Sequence, residues 1–138
     1  MIELFHALLL LTLRLAVAPH ASQAPANIVV ADHAESALIE ATGKAAERYE
    51  ARAFEEALPA AEEAVEEAWK EFGADDYRTI AAEEFLAHLA ALTKDPARAQ
   101  AIREETDRKL ERLGNPAMIE KIKITRAEEY RETTQDGE

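Results

Sequence analysis

Punctuation constrains this chain more than any other feature. Gly73 and Gly114 stand 41 residues apart, and each closes a long stretch of helix-forming residues. Each stretch also opens on a turn followed by a helix start, at Phe54 in one case and at Asp95-Pro96 in the other. The same order (helix, tight turn, helix, glycine stop) recurs at a period of 42, with one residue lost before the second stop. A helix pair of this length buries one face at most, so units cut in this way have to stack on one another to leave water.

Within the pieces the apolar residues recur at helical spacing. Phe54, Ala57, Leu58, Ala61, Ala64, Val65, Ala68, Trp69 and Phe72 fall on one face of a helix over 54–72, while Glu55, Glu56, Glu62, Glu63, Glu66, Glu67 and Glu71 fill the other. A helix over 33–52 carries Leu38, Ala41, Ala45 and Tyr49, with Asp32 and Glu35 forming a capping box. Asp75-Asp76 opens a third helix with Ile80, Phe85, Leu86, Leu89 and Leu92. Pro96 to Leu113 is the fourth, and Asn115-Pro116 starts a fifth that runs to about Tyr130. With 30 Ala and 22 Glu, both good helix formers, the expectation is an all-α domain over 33–132 followed by a frayed tail over 133–138. Trp69, Phe72, Phe85 and Leu86 are expected to fill the space between hairpins.

The first 26 residues read differently. The run from Phe5 to Ala18 has the length of a secretory apolar segment and is too short to cross a bilayer, and Ala24-Pro25-Ala26 forms a peptidase site. Residues 1–26 are therefore expected to be a signal peptide, 27–32 an extended linker, and the chain periplasmic or secreted; without that signal it would be cytoplasmic. No membrane span is expected in the mature form.

The string from Phe54 to Val65, followed by Phe72-Gly73-Ala74-Asp75-Asp76-Tyr77-Arg78-Thr79, resembles a tetratricopeptide repeat of the longer, kinesin-light-chain-like type. Leu86-Ala87-His88-Leu89 and Lys94 to Ala99 resemble its other half, and about two repeats fit over 37–114. The fourth helix has Arg103 and Thr106 where that pattern has a bulky and a small residue. The resemblance implies an all-α, right-handed solenoid fragment of stacked antiparallel hairpins with a C-terminal capping helix. It also implies a partner groove lined by the first helix of each hairpin. Carried onto this chain, the groove positions are Thr42, Tyr49 and Glu50 in the first unit and Glu84, His88 and Leu92 in the second. Small, apolar and slightly acidic, such a groove suits a neutral or basic protein or peptide segment. An open-groove His88 would change charge near neutral pH.

Charge and composition narrow the chemistry. The net charge of −12 repels phosphates, which argues against nucleic acid, and the absence of Cys removes disulfides and thiolate chemistry. There is no phosphate-cradling glycine loop and no serine elbow. Neighbouring Glu pairs point about 100° apart on a helix and do not converge on a metal. No catalytic residue, cofactor or metal is expected. The expected function is an exported adaptor working by protein–protein contact, with possible homo-oligomers. The alternatives are a structural or assembly protein of the cell envelope, and a metal-binding helical bundle using His33, His88 and nearby Glu.

Overall fold

The computed structural model describes residues 28–135, with side chains over 37–134. They form five helices and, among the described residues, no strand: α1 Ile28–Glu50, α2 Phe54–Phe72, α3 Tyr77–Leu92, α4 Pro96–Leu113 and α5 Pro116–Gln135. The described residues are all-α, a stack of helical hairpins, in line with the punctuation of the sequence. Among the described residues no helix is long and apolar enough to cross a membrane. The signal segment, residues 1–26, lies outside the described residues.

Three boundaries differ from the sequence reading; one is the end of α1, which stops at Glu50 and not at 52, where Arg52 turns left-handed. The stretch from Ile28 to Asp32, expected to be extended, is the first part of α1. β-Branched residues lower helix propensity only slightly, and continuity with the helix that follows prevails. At the other end α5 runs on to Gln135 through residues expected to fray. There the hydroxyls of Thr133 and Thr134 bond back to carbonyls of the preceding turn and so fit inside the helix.

Local signals set the other ends. The Asp76 carboxylate accepts the Arg78 amide at the start of α3, and Asp95 accepts that of Arg98 at the start of α4. Asn115 does the same for Met118 in α5. Gly114 takes the left-handed conformation that stops α4.

The period of 42 is visible in the backbone. At the end of α1 the amide of Ala53 donates to the Arg48 carbonyl and that of Arg52 to Tyr49. At the end of α3, Asp95 donates to Ala90 and Lys94 to Ala91. Each set is a Schellman closure with the pivotal residue left-handed, Arg52 at φ 60° and Lys94 at φ 65°. One position per odd-numbered helix recurs as well: Leu38, Ile80 and Ile122 are 42 residues apart and all buried.

Alanines let α1 and α2 approach closely: Ala41 and Ala45 on one helix, Ala57, Ala61, Ala64 and Ala68 on the other, are all buried. α3 is the hub. Phe85, Leu86 and Leu89 pack against Ala45, Tyr49, Ala57, Ala60 and Ala61 of the first hairpin. Each such large apolar side chain contributes about 2 kcal/mol on burial. On the other side Ile80 meets Leu110 of α4 and Ile122 of α5. α4 and α5 approach each other less closely than the other consecutive helices do. Long side chains span the interval, Arg103 to Glu129 at 3.4 Å and Asp107 to Arg126 at 2.8 Å.

Trp69 is not the core residue expected. It is 53 % exposed, while Phe85 and Leu86 are buried. Its indole N–H donates to Glu83 at 3.2 Å, and the Lys109 ammonium lies 5.7 Å from its ring centroid. The ring lids a buried ion pair instead of filling an interior.

Candidate functional site

α3 is enclosed on every side, so some of its polar residues are forced inward. Glu84 and His88 are one turn apart and share a face. That face looks toward α5, which presents Ile122, Arg126 and Glu129 at spacings of four and three, with Glu132 one turn further. A polar seam forms where the two faces meet.

At one end of the seam Arg126 grips Glu84 with two nitrogens, Nε to Oε2 at 3.0 Å and Nη2 to Oε1. Nη1 of the same guanidinium donates to Asp107 at 2.8 Å. The Thr106 hydroxyl donates to Glu84, completing its shell. Burial alone would lower the Arg126 pKa, but Glu84 and Asp107 outweigh it and raise it, so the guanidinium stays ionised. A bidentate, charge-assisted fork of this kind fixes orientation as well as distance.

At the other end α1 joins in. The Tyr49 hydroxyl donates to the Glu132 carboxylate, 2.7 Å from Oε2 and 2.9 Å from Oε1, and lies 3.2 Å from His88 Nε2. His88 Nε2 is also 3.3 Å from Glu132 Oε2. With its proton on Nε2, a neutral imidazole shares one N–H between the Tyr49 oxygen and the Glu132 carboxylate. Burial pushes the His88 pKa down to about 4 against the pull of Glu132, so the ring is uncharged at neutral pH. Burial, with Glu132 accepting the proton of the phenol, raises the Tyr49 pKa.

Between the two ends lies Glu129, which is buried. Desolvation and the nearby Glu84 carboxylate push its pKa up to about 8. Arg103, at 3.4 Å, and Arg126 pull the other way without cancelling the rise, so the Glu129 carboxyl is held well above the usual carboxylate range. A second pair, Lys109 to Glu83 at 2.6 Å, is buried between α3 and α4 beneath Trp69.

The structure distributes the six expected groove residues unevenly. Tyr49, Glu84 and His88 come together on one face, but buried beneath α5 instead of on an open groove; His88 has no exposed surface. A neutral, enclosed His88 does not titrate near pH 7 as an open-groove histidine would. Thr42 is buried on α1 and Glu50 is exposed. Leu92 lines a cleft of about 440 Å³ between the two Schellman turns, with Arg52, Phe54 and Lys94. Arg103, Thr106, Arg126, Glu129 and Glu132 complete the seam, and none of them is among the groove positions that the repeat pattern marks. Arg103 and Thr106 carried a signal, because they are the two places where α4 departs from the repeat pattern.

Among the described residues no group of three or more Asp, Glu or His is arranged to hold a metal ion. The side chain of His33 lies outside the described residues. What the seam does chemically is hold a helix side-on by a few polar anchors. Comparison with family models, with curated proteins and with solved structures finds no match to this chain.

Proposed function

We propose that the chain is a non-catalytic adaptor on a tetratricopeptide-like scaffold, exported to the periplasm or medium, which binds a neutral or basic protein segment. The observation that carries this reading is the engagement of a helix by the face of α1 and α3: Tyr49, Glu84 and His88 all meet α5 there. A face that seats one helix by a guanidinium fork and a phenol–carboxylate bond has the equipment to recognise helices. The repeated closures at Arg52 and Lys94 support the repeat scaffold.

The test is capture from an envelope extract by the wild-type chain and by a Glu50→Lys, Leu92→Asp variant. Both positions lie at the accessible edge of the expected groove. A partner held by the wild type and lost from the equally helical variant supports the reading; no partner, or equal capture, defeats it. N-terminal sequencing of the exported form tests the signal peptide. A structural envelope role is favoured by one observation, the exposure of Ile124 and Tyr130 on the outer face of α5. Light scattering showing a concentration-dependent oligomer that Tyr130→Ala abolishes would favour it over a monomeric adaptor.

A further inference from the structure

We propose that α5 is a displaceable occupant of the α1–α3 face, and that the same face accepts an incoming amphipathic helix of α5's own pattern. That pattern is an isoleucine, an arginine four residues on, and carboxylates seven and ten residues on, as in Ile122, Arg126, Glu129 and Glu132. The inference rests on the adaptor reading and supplies its class of partner.

Three observations carry it. The first is the kind of contact. α5 reaches the face through side-chain tips, the Arg126 fork on Glu84 and the Glu132 carboxylate on Tyr49, with Ile122 as the buried apolar anchor. Another helix with the same spacing can reproduce these contacts, because they depend on residues one turn apart and not on connectivity. The second is imperfection. Glu129 Oε1 and Arg103 Nε are buried in the seam without a hydrogen-bond partner. Buried orphans of this kind cost free energy, so lifting α5 from the face costs less than lifting a fully satisfied helix would. The third is attachment. α5 is joined to α4 by Gly114 and Asn115 alone, with Gly114 left-handed, and it lies farther from α4 than other consecutive helices lie from each other.

In the intact chain the tether gives α5 an effective concentration on the order of millimolar, so a free helix competes poorly until the tethered one is weakened. The experiment exploits this. A fluorescent synthetic peptide of residues 116–135 is titrated into full-length wild type and full-length Arg126→Glu. In the variant its own α5 faces Glu84 and Asp107 with a like charge, while the peptide still brings an arginine. The peptide is expected to bind the variant at least tenfold more tightly than the wild type, and the Arg126→Glu peptide to bind neither. Hydrogen exchange on the wild type is expected to release α5 amides at least tenfold faster than those of α3. If Arg126→Glu does not fold, Glu132→Gln takes its place, with a smaller preference in the same direction. Tyr130→Ala, on the outer face, is expected to change neither readout.

Exchange of α5 and α3 in a single step, or equal binding of the peptide to wild type and variant, would overturn the proposal. Absence of any envelope partner would undo the adaptor reading alone. Failure of the peptide, alongside a partner sensitive to Glu50→Lys and Leu92→Asp, would undo only this inference.

Discussion

The hydroxyl of Tyr49, near the end of α1, lies 2.7 Å from Glu132, near the end of α5. One hydrogen bond thus joins residues 83 positions apart and closes the fold across α3. Tyr49→Phe keeps the ring, which packs edge-on to Phe85 at 5.7 Å between centroids, and removes only the bond. Urea unfolding is expected to show a loss of about 1–2 kcal/mol, since Glu132 and His88 both lose a neighbour. A change below a few tenths would mean that the contact does not hold α5.

Arg52 and Lys94 occupy left-handed backbone at equivalent places in the two hairpins. That conformation costs a residue with a Cβ about 1 kcal/mol and costs glycine almost nothing. Lys94→Gly is therefore expected to raise stability by about 0.5–1 kcal/mol. Arg52→Gly is expected to gain less, because the Arg52 guanidinium lies 5.3 Å from the centre of the Phe54 ring and that attraction goes with it. Thermal unfolding of the two variants, compared side by side, checks the order.

The Glu83–Lys109 pair makes a sharper test of buried charge. Lys109→Met leaves the Glu83 carboxylate enclosed without its cation and is expected to cost about 3 kcal/mol or more. Adding Glu83→Gln removes the stranded charge while still offering an oxygen to the Trp69 indole, and most of the loss is expected to return. A double variant no better than the single one would show that the ammonium matters for packing more than for charge.

Glu129 and His88 give stability an asymmetric pH profile. Glu129 is held protonated to about pH 8 by burial and by Glu84, against Arg103 and Arg126. In the unfolded chain it ionises near 4.5. Folding thus takes up a proton between those values, and stability falls as pH rises through them. His88, facing Glu132 and Arg103, stays neutral down to about 4 when folded but protonates near 6.5 when unfolded, so its contribution falls as pH drops. From about 4.5 to 6.5 the two slopes oppose each other. From 6.5 to 8 the Glu129 slope outweighs what remains of the His88 slope, and the net loss is about 1 kcal/mol. Calorimetry at pH 6.5 and 8 is expected to show this decline in the wild type and not in Glu129→Gln.

How far the sequence could be read follows from where each signal lies along the chain. α2 and α4 were legible to the residue because their starts and stops are local: the Asp95-Pro96 start, and glycines at 73 and 114. The face carrying Tyr49, Glu84 and His88 was legible as a face, since helical spacing alone puts Glu84 and His88 together. What covers it was not. Arg126 reaches 42 residues back to Glu84 and Glu132 reaches 83 back to Tyr49. No periodicity within α5 fixes its register on helices so distant. Trp69 was misplaced for a related reason, because its partners Glu83 and Lys109 come from two other helices.

The enclosure of α3 has a consequence for the order in which the protein is made. Glu83 and Glu84 leave the ribosome ahead of the cations that neutralise them, Lys109 by 26 residues and Arg126 by 42. Until those arrive, desolvating the two carboxylates is unfavourable, so the side of α3 that carries them stays hydrated. Completion of the interior therefore waits for the C-terminal third of the chain, and a nascent chain stalled short of Arg126 would present Glu84 and Ile80 to whatever chaperone meets it.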